Sequence, residues 1–343
     1  MNAVKTKPLP KMTEQFPINF TAVILFTVIG FVIAILGNIC IPQISDGVKF
    51  KDYIICGLTL NINSAYRIVL AALALVYLLV GIFSAFDKDR QAKYKKRAPF
   101  RFAVGIALLL WDVLGTKLQA LPQPFFPGPA GIIEAFLAES GFIWQNTLYS
   151  LRLFAIGFIL GVIFGVGTGI LIGWFPKVYY WVSPVLNITG VIPAVAWMPF
   201  ALTLFPTPFA AAVFLIVICV WFPVASLTAS GVQSTPKAQF EAARTLGGKT
   251  PYLVFHVAVP HAMPQIFTGI NTANAFAFTT LVMAEMMGQP GGLGYYINAS
   301  KVWSAYYKVF AAIIVMAVLF SLITKAVGLI EARVLRWQRG LLK

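Results

Sequence analysis

Charge is scarce in this chain of 343 residues, with Asp, Glu, Lys and Arg together making 11% of it, against about a quarter in soluble domains. Acidic residues number 11 and histidines two, which leaves little material for acid–base or metal chemistry. His256 and His261 stand five apart and diverge around a helix, with no Cys or carboxylate near in sequence, so they do not form a metal site. No serine or cysteine has a recognisable His–acid partner set, so covalent catalysis has no candidate nucleophile and no catalytic residue is assigned. Three cysteines make no disulfide framework: Cys219 falls inside an apolar run, while Cys40 and Cys56 fall on one side of the membrane, where pairing stays open.

What is abundant is apolar surface. Hydrophobic residues make 59% of the chain and the mean hydropathy is +0.83, the composition of an integral membrane protein. A hydrocarbon core needs roughly 20 apolar residues per helical crossing. Charge-free runs at residues 20–41, 68–86 and 153–176 meet that need, and 98–115 is a shorter candidate interrupted by Asp112. The run 178–236 is too long for one crossing and turns at Phe205-Pro-Thr-Pro-Phe209, giving two. Residues 266–284 and 309–324 bring the expected number of spans to eight. Lys5, Lys7 and Lys11 before the first run imitate a secretory signal, but the run is too long and lacks a small-x-small cleavage site, so it is read as a span.

Net charge is +15, and in a membrane protein its placement matters more than its size. With the N-terminus in the cytoplasm, eighteen of the 26 Lys and Arg residues fall inside and seven outside, with Lys325 in the last span. Both termini are therefore expected in the cytoplasm, and the basic run 88–101 reads as a topology determinant near anionic headgroups rather than a nucleic-acid site. Asp112, beside Trp111, is expected at the outer interface.

Residues 1–97, with two spans and the basic linker, read as an N-terminal extension, and residues 98–343 as the organised core. Within the core, Gly157, Gly161, Gly165, Gly169 and Gly173 recur every fourth residue, a small-residue stripe read as tight packing inside the chain rather than a dimer face. Pro184, Pro193, Pro199 and Pro206 each remove a backbone donor. Such breaks survive at membrane depth where protein or a cavity satisfies the freed carbonyls, so this span either borders a translocation path or is a kinked structural helix. Candidate path residues are Arg152, Pro193, Trp197, Asn274, Thr279 and Glu285. Arg152 attracts an anion or snorkels; Glu285, the sole charge between Lys249 and Lys301, is a functional acid by default or a structural one in a pair.

The polar insert at residues 235–250, TPKAQFEAARTLGGKT, points to a partner outside the membrane. Thr235 is the expected N-cap, Pro236 the first helical residue, and Gly247 the left-handed terminator of a helix of about three turns. Phe240, Ala243 and Leu246 share one small apolar side. Residues 243–250 also satisfy a relaxed phosphate-loop pattern, but a polar helix precedes it and Pro251 follows, so ATP binding by this chain is not expected.

The insert motif Glu241-Ala-Ala-Arg-Thr-Leu-Gly247, with Val259-Pro260, Ala262-Met-Pro264, Gly269, Ala284-Glu285-Met286 and Gly291-Gly-Leu-Gly294, resembles the permease subunit of binding-protein-dependent ABC importers. Asn146-Thr-Leu-Tyr-Ser-Leu-Arg152, Ile192-Pro193 and Ala196-Trp-Met-Pro199 are similar to its nitrate, sulfonate, taurine and bicarbonate branch. Phe205-Pro-Thr-Pro208 and Tyr306-Tyr-Lys308 depart from that pattern. The resemblance implies an all-α fold, a type I importer core of six helices plus two extra N-terminal helices, in the bacterial inner membrane. It implies that residues of about 236–247 form a coupling helix for a separate ATPase, with Glu241, Ala242, Ala243, Arg244, Leu246 and Gly247 making the contact. Implied partners are two ATPase subunits carrying ATP and Mg, an external substrate-binding protein, a second permease copy and the lipid bilayer. No cofactor is expected on this chain. The competing class is a stand-alone secondary transporter or channel, which would need no role for Glu241; a membrane-embedded enzyme would need a constellation that is missing.

Overall fold

The computed structural model describes residues 19–43, 53–55, 58–122 and 124–340. The chain divides into two compact units, residues 1–137 and 138–343.

In the first unit, α1 (Phe20–Cys40) is apolar along its whole length and carries no charge. A short antiparallel hairpin that no hydropathy pattern announces follows, β1 (Tyr53–Ile55) and β2 (Leu58–Leu60), paired with Ile54 opposite Thr59. Cys56, the proposed partner of Cys40, lies outside the described residues, and Cys40 itself is an exposed free thiol. The second helix, α2 (Ile62–Ser84), starts where the Asn61 side chain accepts from the Asn63 N–H at 3.1 Å, an N-cap that satisfies an otherwise orphaned donor. Asp87 caps α3 (Lys88–Asp112) in the same way, and a π-turn at Val113–Lys117 ends it.

Gly30 and Gly105 let α1 and α3 touch, since a Cβ on Gly105 would lie 2.6 Å from the Gly30 carbonyl carbon. Phe31, Tyr66, Leu70 and Ala74 fill the core between the three helices. Asp112 is fully buried within the protein and accepts a 2.7 Å hydrogen bond from Asn38 Nδ2. That partner lies 74 residues away, so the local sequence does not show it. The expected division at residue 97 differs from the observed one because residues 88–112 form one continuous helix that packs on α1 and α2.

The division between units falls inside α4 (Pro129–Trp174), which kinks at Glu139, where φ is −126° and ψ 24°. The second unit continues with α5 (Pro176–Val191), a 3₁₀ turn at Ala194–Trp197, and α6 (Met198–Leu204), and this stretch bends by 103°. Thr207 caps α7 (Pro208–Gln233) by accepting from the Ala210 N–H at 3.2 Å, at the turn expected from Phe205 to Phe209. After α8 (Lys237–Thr245) and the single turn α9 (Thr250–Tyr252), a π-turn at Leu253–Ala258 leads into α10 (Val259–Met286). The unit closes with α11 (Leu293–Val302) and α12 (Tyr306–Val334).

The glycine stripe packs inside the chain. Gly157, Gly161, Gly165, Gly169 and Gly173 of α4 face Ile216, Val220, Val224, Thr228 and Val232 of α7 in one constant register, so the two helices run parallel. Built Cβ atoms on these glycines would fall 2.5–2.8 Å from the opposing Cβ atoms, closer than any side chain tolerates, so only glycine allows this approach. The other side of α7 packs antiparallel to α10, with Gly231 against Ala262, Gly269 against the Pro223 carbonyl, and Thr280 Oγ1 3.1 Å from Cys219 Sγ. Leu215, Ile216, Val220, Val224, Ala273, Ala277 and Leu281 make the core of that layer.

Seven described helices are long and apolar enough to cross a membrane, or eight when the bent stretch from α5 to α6 counts as one span. The fold is a polytopic helical membrane protein.

Candidate functional site

Two regions gather the residues singled out in the sequence, and both hang on α4. At one end of that helix is the insert; Asn146 and Ser150, on the other side of the glycine stripe, lead to the second region. The run from Ser150 to Trp174 spans about 36 Å at 1.5 Å per residue.

The insert folds as α8, with the Schellman end that glycine permits. The Gly248 N–H donates to the Ala243 carbonyl at 2.9 Å and the Gly247 N–H to the Arg244 carbonyl at 2.9 Å. Gly247 adopts φ +85°, the left-handed conformation expected of it. The start differs from expectation: Pro236, in the extended region, is the N-cap, and Thr235 is buried with no bond to the helix. Proline at ψ 134° still belongs to the incoming strand of chain, which pushes the first helical residue to Lys237.

The apolar side also splits. Phe240 turns inward, its ring 5.4 Å from that of Trp174 at an interplanar angle of 76°, and packs with Val232, Ala258, Ala262 and Ile266. Leu246, one turn and a half later, is 89% exposed instead. Glu241, Ala242, Arg244 and Gly247 are exposed beside it, with Ala243 half-buried. Ala243, Leu246, Gly247, Gly248, Lys249 and Tyr252 line a cleft of about 540 Å³. This short helix therefore presents small, charged and one large apolar residue outward on an anchored base. The Gly247 and Gly248 amides of the phosphate-loop pattern donate to carbonyls of α8.

The second region surrounds Glu285 at the end of α10. Its side chain is 1% exposed, and Oε2 accepts from the Gly294 N–H at 2.8 Å in the first turn of α11. The loop 291–294 has to be glycine-rich, because a Cβ on Gly292, at φ +108°, would meet the Glu285 carboxyl at 2.4 Å. Two residues of α4 finish the job: Asn146 Oδ1 accepts from the Gly292 N–H at 2.9 Å and Ser150 Oγ from the Leu293 N–H at 2.8 Å. Three side-chain acceptors, one of them the Glu285 carboxyl, thus take up the orphan donors of a helix N-terminus. Tyr149 donates to Gln289 Oε1 at 2.9 Å, and Gln289 in turn donates to the Pro208 carbonyl. The spacing Asn146, Tyr149, Ser150 marks one face of α4, the only signal in the sequence that they act together. A cavity of about 560 Å³ opens here, lined among others by Phe209, Glu285, Gln289, Tyr295 and Asn298.

Next to it, Glu139 at the kink of α4 forms an ion pair with Lys308 at the start of α12, and Tyr296 of α11 donates to Glu139 Oε2 at 2.8 Å. Burial, then this carboxylate, pushes the Tyr296 phenol well above its ordinary value, so it stays a donor throughout the working pH range. The sequence reading overlooked Glu139, whose partners lie more than 150 residues away.

Of the remaining candidates, Arg152 borders the second region through Phe209, and the others lie apart from it. Pro193 occupies the break between α5 and the 3₁₀ turn, and Trp197 closes that turn with its Nε1 buried and unbonded. Asn274 is buried on α10 and donates to Thr324 Oγ1 of α12 at 3.0 Å. Thr279 is exposed on α10 and donates back to the Ala275 carbonyl at 3.2 Å. Arg152 is well inside α4, its guanidinium 5.4 Å from the centre of the Phe209 ring. His256 stacks on Tyr252 with ring centres 4.5 Å apart. Among the described residues no cluster of three metal-binding side chains occurs.

Residues 130–336 match the family described as binding-protein-dependent transport system inner membrane component. The putative aliphatic sulfonates transport permease protein SsuC of Bacillus subtilis is 32% identical over 237 residues, 68% of this chain and 86% of that protein. The taurine transport system permease protein TauC of Escherichia coli is 27% identical over 241 residues, 68% of this chain and 87% of its own. The bicarbonate transport system permease protein CmpB of Synechococcus elongatus is 34% identical over 208 residues, 60% of this chain and 71% of its own. A solved structure of the MetNI methionine ABC transporter in an inward-facing conformation covers 57% of this chain and 98% of its own at 20% identity and a TM-score of 0.51, a likeness of fold.

Proposed function

The chain belongs to the family of binding-protein-dependent transport system inner membrane components, a multi-pass transport subunit, and from that premise we propose that it imports a small anion by alternating access driven by a separate ATPase. The observation that carries this reading is the outward face of α8, held on the bundle by Phe240 against Trp174 and leaving Glu241, Arg244 and Leu246 exposed. The ATPase grips α8 through Glu241, Ala242, Ala243, Arg244, Leu246 and Gly247: the small residues allow close approach, Glu241 and Arg244 set register, and Leu246 supplies an apolar anchor. ATP and Mg reside on that partner, two copies of which act on two copies of this permease. An external binding protein delivers cargo to the opposite side, and both termini of this chain face the cytoplasm.

The cargo class follows the relatives, whose names cite sulfonates, taurine and bicarbonate. Pro193, Trp197, Asn274 and Thr279 line the path with neutral groups, Arg152 supplies a positive charge, and Glu285 acts on the path only through α11, whose first turn it holds. Co-purification of the ATPase with the full chain tests the coupling assignment. It is expected to be lost in Glu241→Arg and in Gly247→Trp; retained binding together with ATP-driven transport would sink the assignment. Cargo is read separately, by measuring which of taurine, an alkanesulfonate, nitrate or bicarbonate the binding protein captures.

A further inference from the structure

The N-terminal three-helix unit has no part in the transport reading, yet it holds Arg101, a cation that no carboxylate among the described residues balances. Phe20, the first residue of α1, meets the ring of Tyr94 at 5.7 Å, so the apolar run of α1 begins beside Tyr94. From there α3 runs alongside α1, with Gly105 against Gly30 and Asp112 bonded to Asn38. Arg101 lies about 10 Å beyond Tyr94 along α3, beside a helix that carries no charge.

Its guanidinium is fixed in place. The central carbon lies 4.2 Å from the Tyr94 ring centre and 5.2 Å from that of Tyr77, and Tyr94 is itself locked by donating to the Tyr77 carbonyl at 3.0 Å. Stacking of this kind holds a planar cation and leaves its in-plane N–H groups for another acceptor. Nη1 is buried without a hydrogen-bond partner, and no carboxylate among the described residues pairs with Arg101. Arg97 and Lys93, one and two turns back on the same face of α3, are exposed and unpaired, while Arg90 at the helix start takes Asp87 at 3.2 Å. Phe83, Phe86 and Phe100 in the same corner are exposed. Cations reaching into an apolar layer from its edge, framed by exposed aromatic rings, match a lipid headgroup in charge and depth.

We propose that Arg101, with Arg97 and Lys93, binds the phosphate of an anionic phospholipid, so that the N-terminal unit is a lipid-binding module of the permease. A cation at the edge of an apolar layer is stabilised by an anionic headgroup, and a phosphodiester offers the two-oxygen edge that a guanidinium fork fits. The lipid tails then lie along the exposed apolar faces of α1 and α3.

The test uses the purified full chain in detergent, titrated with dioleoyl phosphatidylglycerol or dioleoyl phosphatidylcholine and read by native mass spectrometry. Phosphatidylglycerol is expected to bind at least about fivefold more tightly than phosphatidylcholine, and Arg101→Gln or Arg97→Gln to weaken it by about fivefold each. Arg101→Lys, which keeps the charge and loses the fork, is expected to fall between native and Arg101→Gln, and it guards against misreading an unfolded variant. Equal binding of the two lipids, or unchanged phosphatidylglycerol binding in both Gln variants, overturns the proposal. Displacement of the lipid by millimolar inorganic phosphate overturns it too, because the site would then take the free ion.

Discussion

Gly165 of α4 and Val224 of α7 stand so close that a Cβ on the glycine would lie 2.7 Å from the Cβ of the valine. Four further glycines repeat this meeting at the same offset along the two helices. Gly165→Leu forces the helices apart and is expected to cost at least about 1–3 kcal/mol, the range for overpacked cores. Gly167, two residues on, has nothing within 4 Å, so Gly167→Leu is the matched control. Thermal melts of the two variants in the same detergent check this; equal melting temperatures would refute the packing role of the stripe.

Removing the Glu285 carboxylate is expected to loosen α11 at its first turn. Glu285→Gln puts an amide, which also offers donors, in place of the carboxyl that accepts from the Gly294 N–H, a loss of about 1–2 kcal/mol. Hydrogen exchange at the amides of Gly292, Leu293 and Gly294 reads the effect, and Asn146→Ala and Ser150→Ala are expected to act on the first two of these. Protection that stays at the native level in Glu285→Gln would show that the carboxylate holds nothing.

The pair Glu139–Lys308 is open to a charge swap, since both side chains are about three-quarters covered, at 28% and 25% exposure. Lys308→Glu places two acids together and is expected to destabilise more than Lys308→Ala. The double change Glu139→Lys with Lys308→Glu is expected to recover part of the loss, about 1 kcal/mol at this degree of solvent screening. A double variant no more stable than the worse single one would argue against a direct interaction.

Phe240→Ala separates gripping from transmission. Its ring touches Trp174 and the bundle, not the exposed face, so the ATPase is expected to stay bound while ATP hydrolysis stops responding to loaded binding protein. Loss of ATPase binding instead would place Phe240 in the contact itself.

Much of this architecture was legible because its cause is local. Hydropathy marks the spans, the proline cluster marks the turn before α7, and a glycine after good helix formers marks the end of α8 at Gly247. Fourfold glycine spacing told of close packing but not of the partner, since a stripe names no neighbour. The early part of α4 was missed because Glu134, Glu139 and Asn146 interrupt its hydropathy; Asn146 is kept by a bond to residue 292 and Glu139 by Lys308. The burial of Asp112 was hidden for the same reason, since its partner Asn38 is far away in sequence. Thr235 failed as a cap because Pro236 takes that place, a choice made by the direction in which the chain leaves α7.

The constant offset between α4 and α7 has a mechanical meaning. Five interlocked glycines bar sliding and close any gap for hinging between them, so the two helices move as one connecting rod. Trp174, and through it the insert, is fixed near one end, while Asn146 and Ser150, which hold the 291–294 loop, are fixed on the far side of the stripe. A sideways push on α8 is therefore expected to reach the Asn146 end of α4 as a tilt, with no signal passed from side chain to side chain along the way.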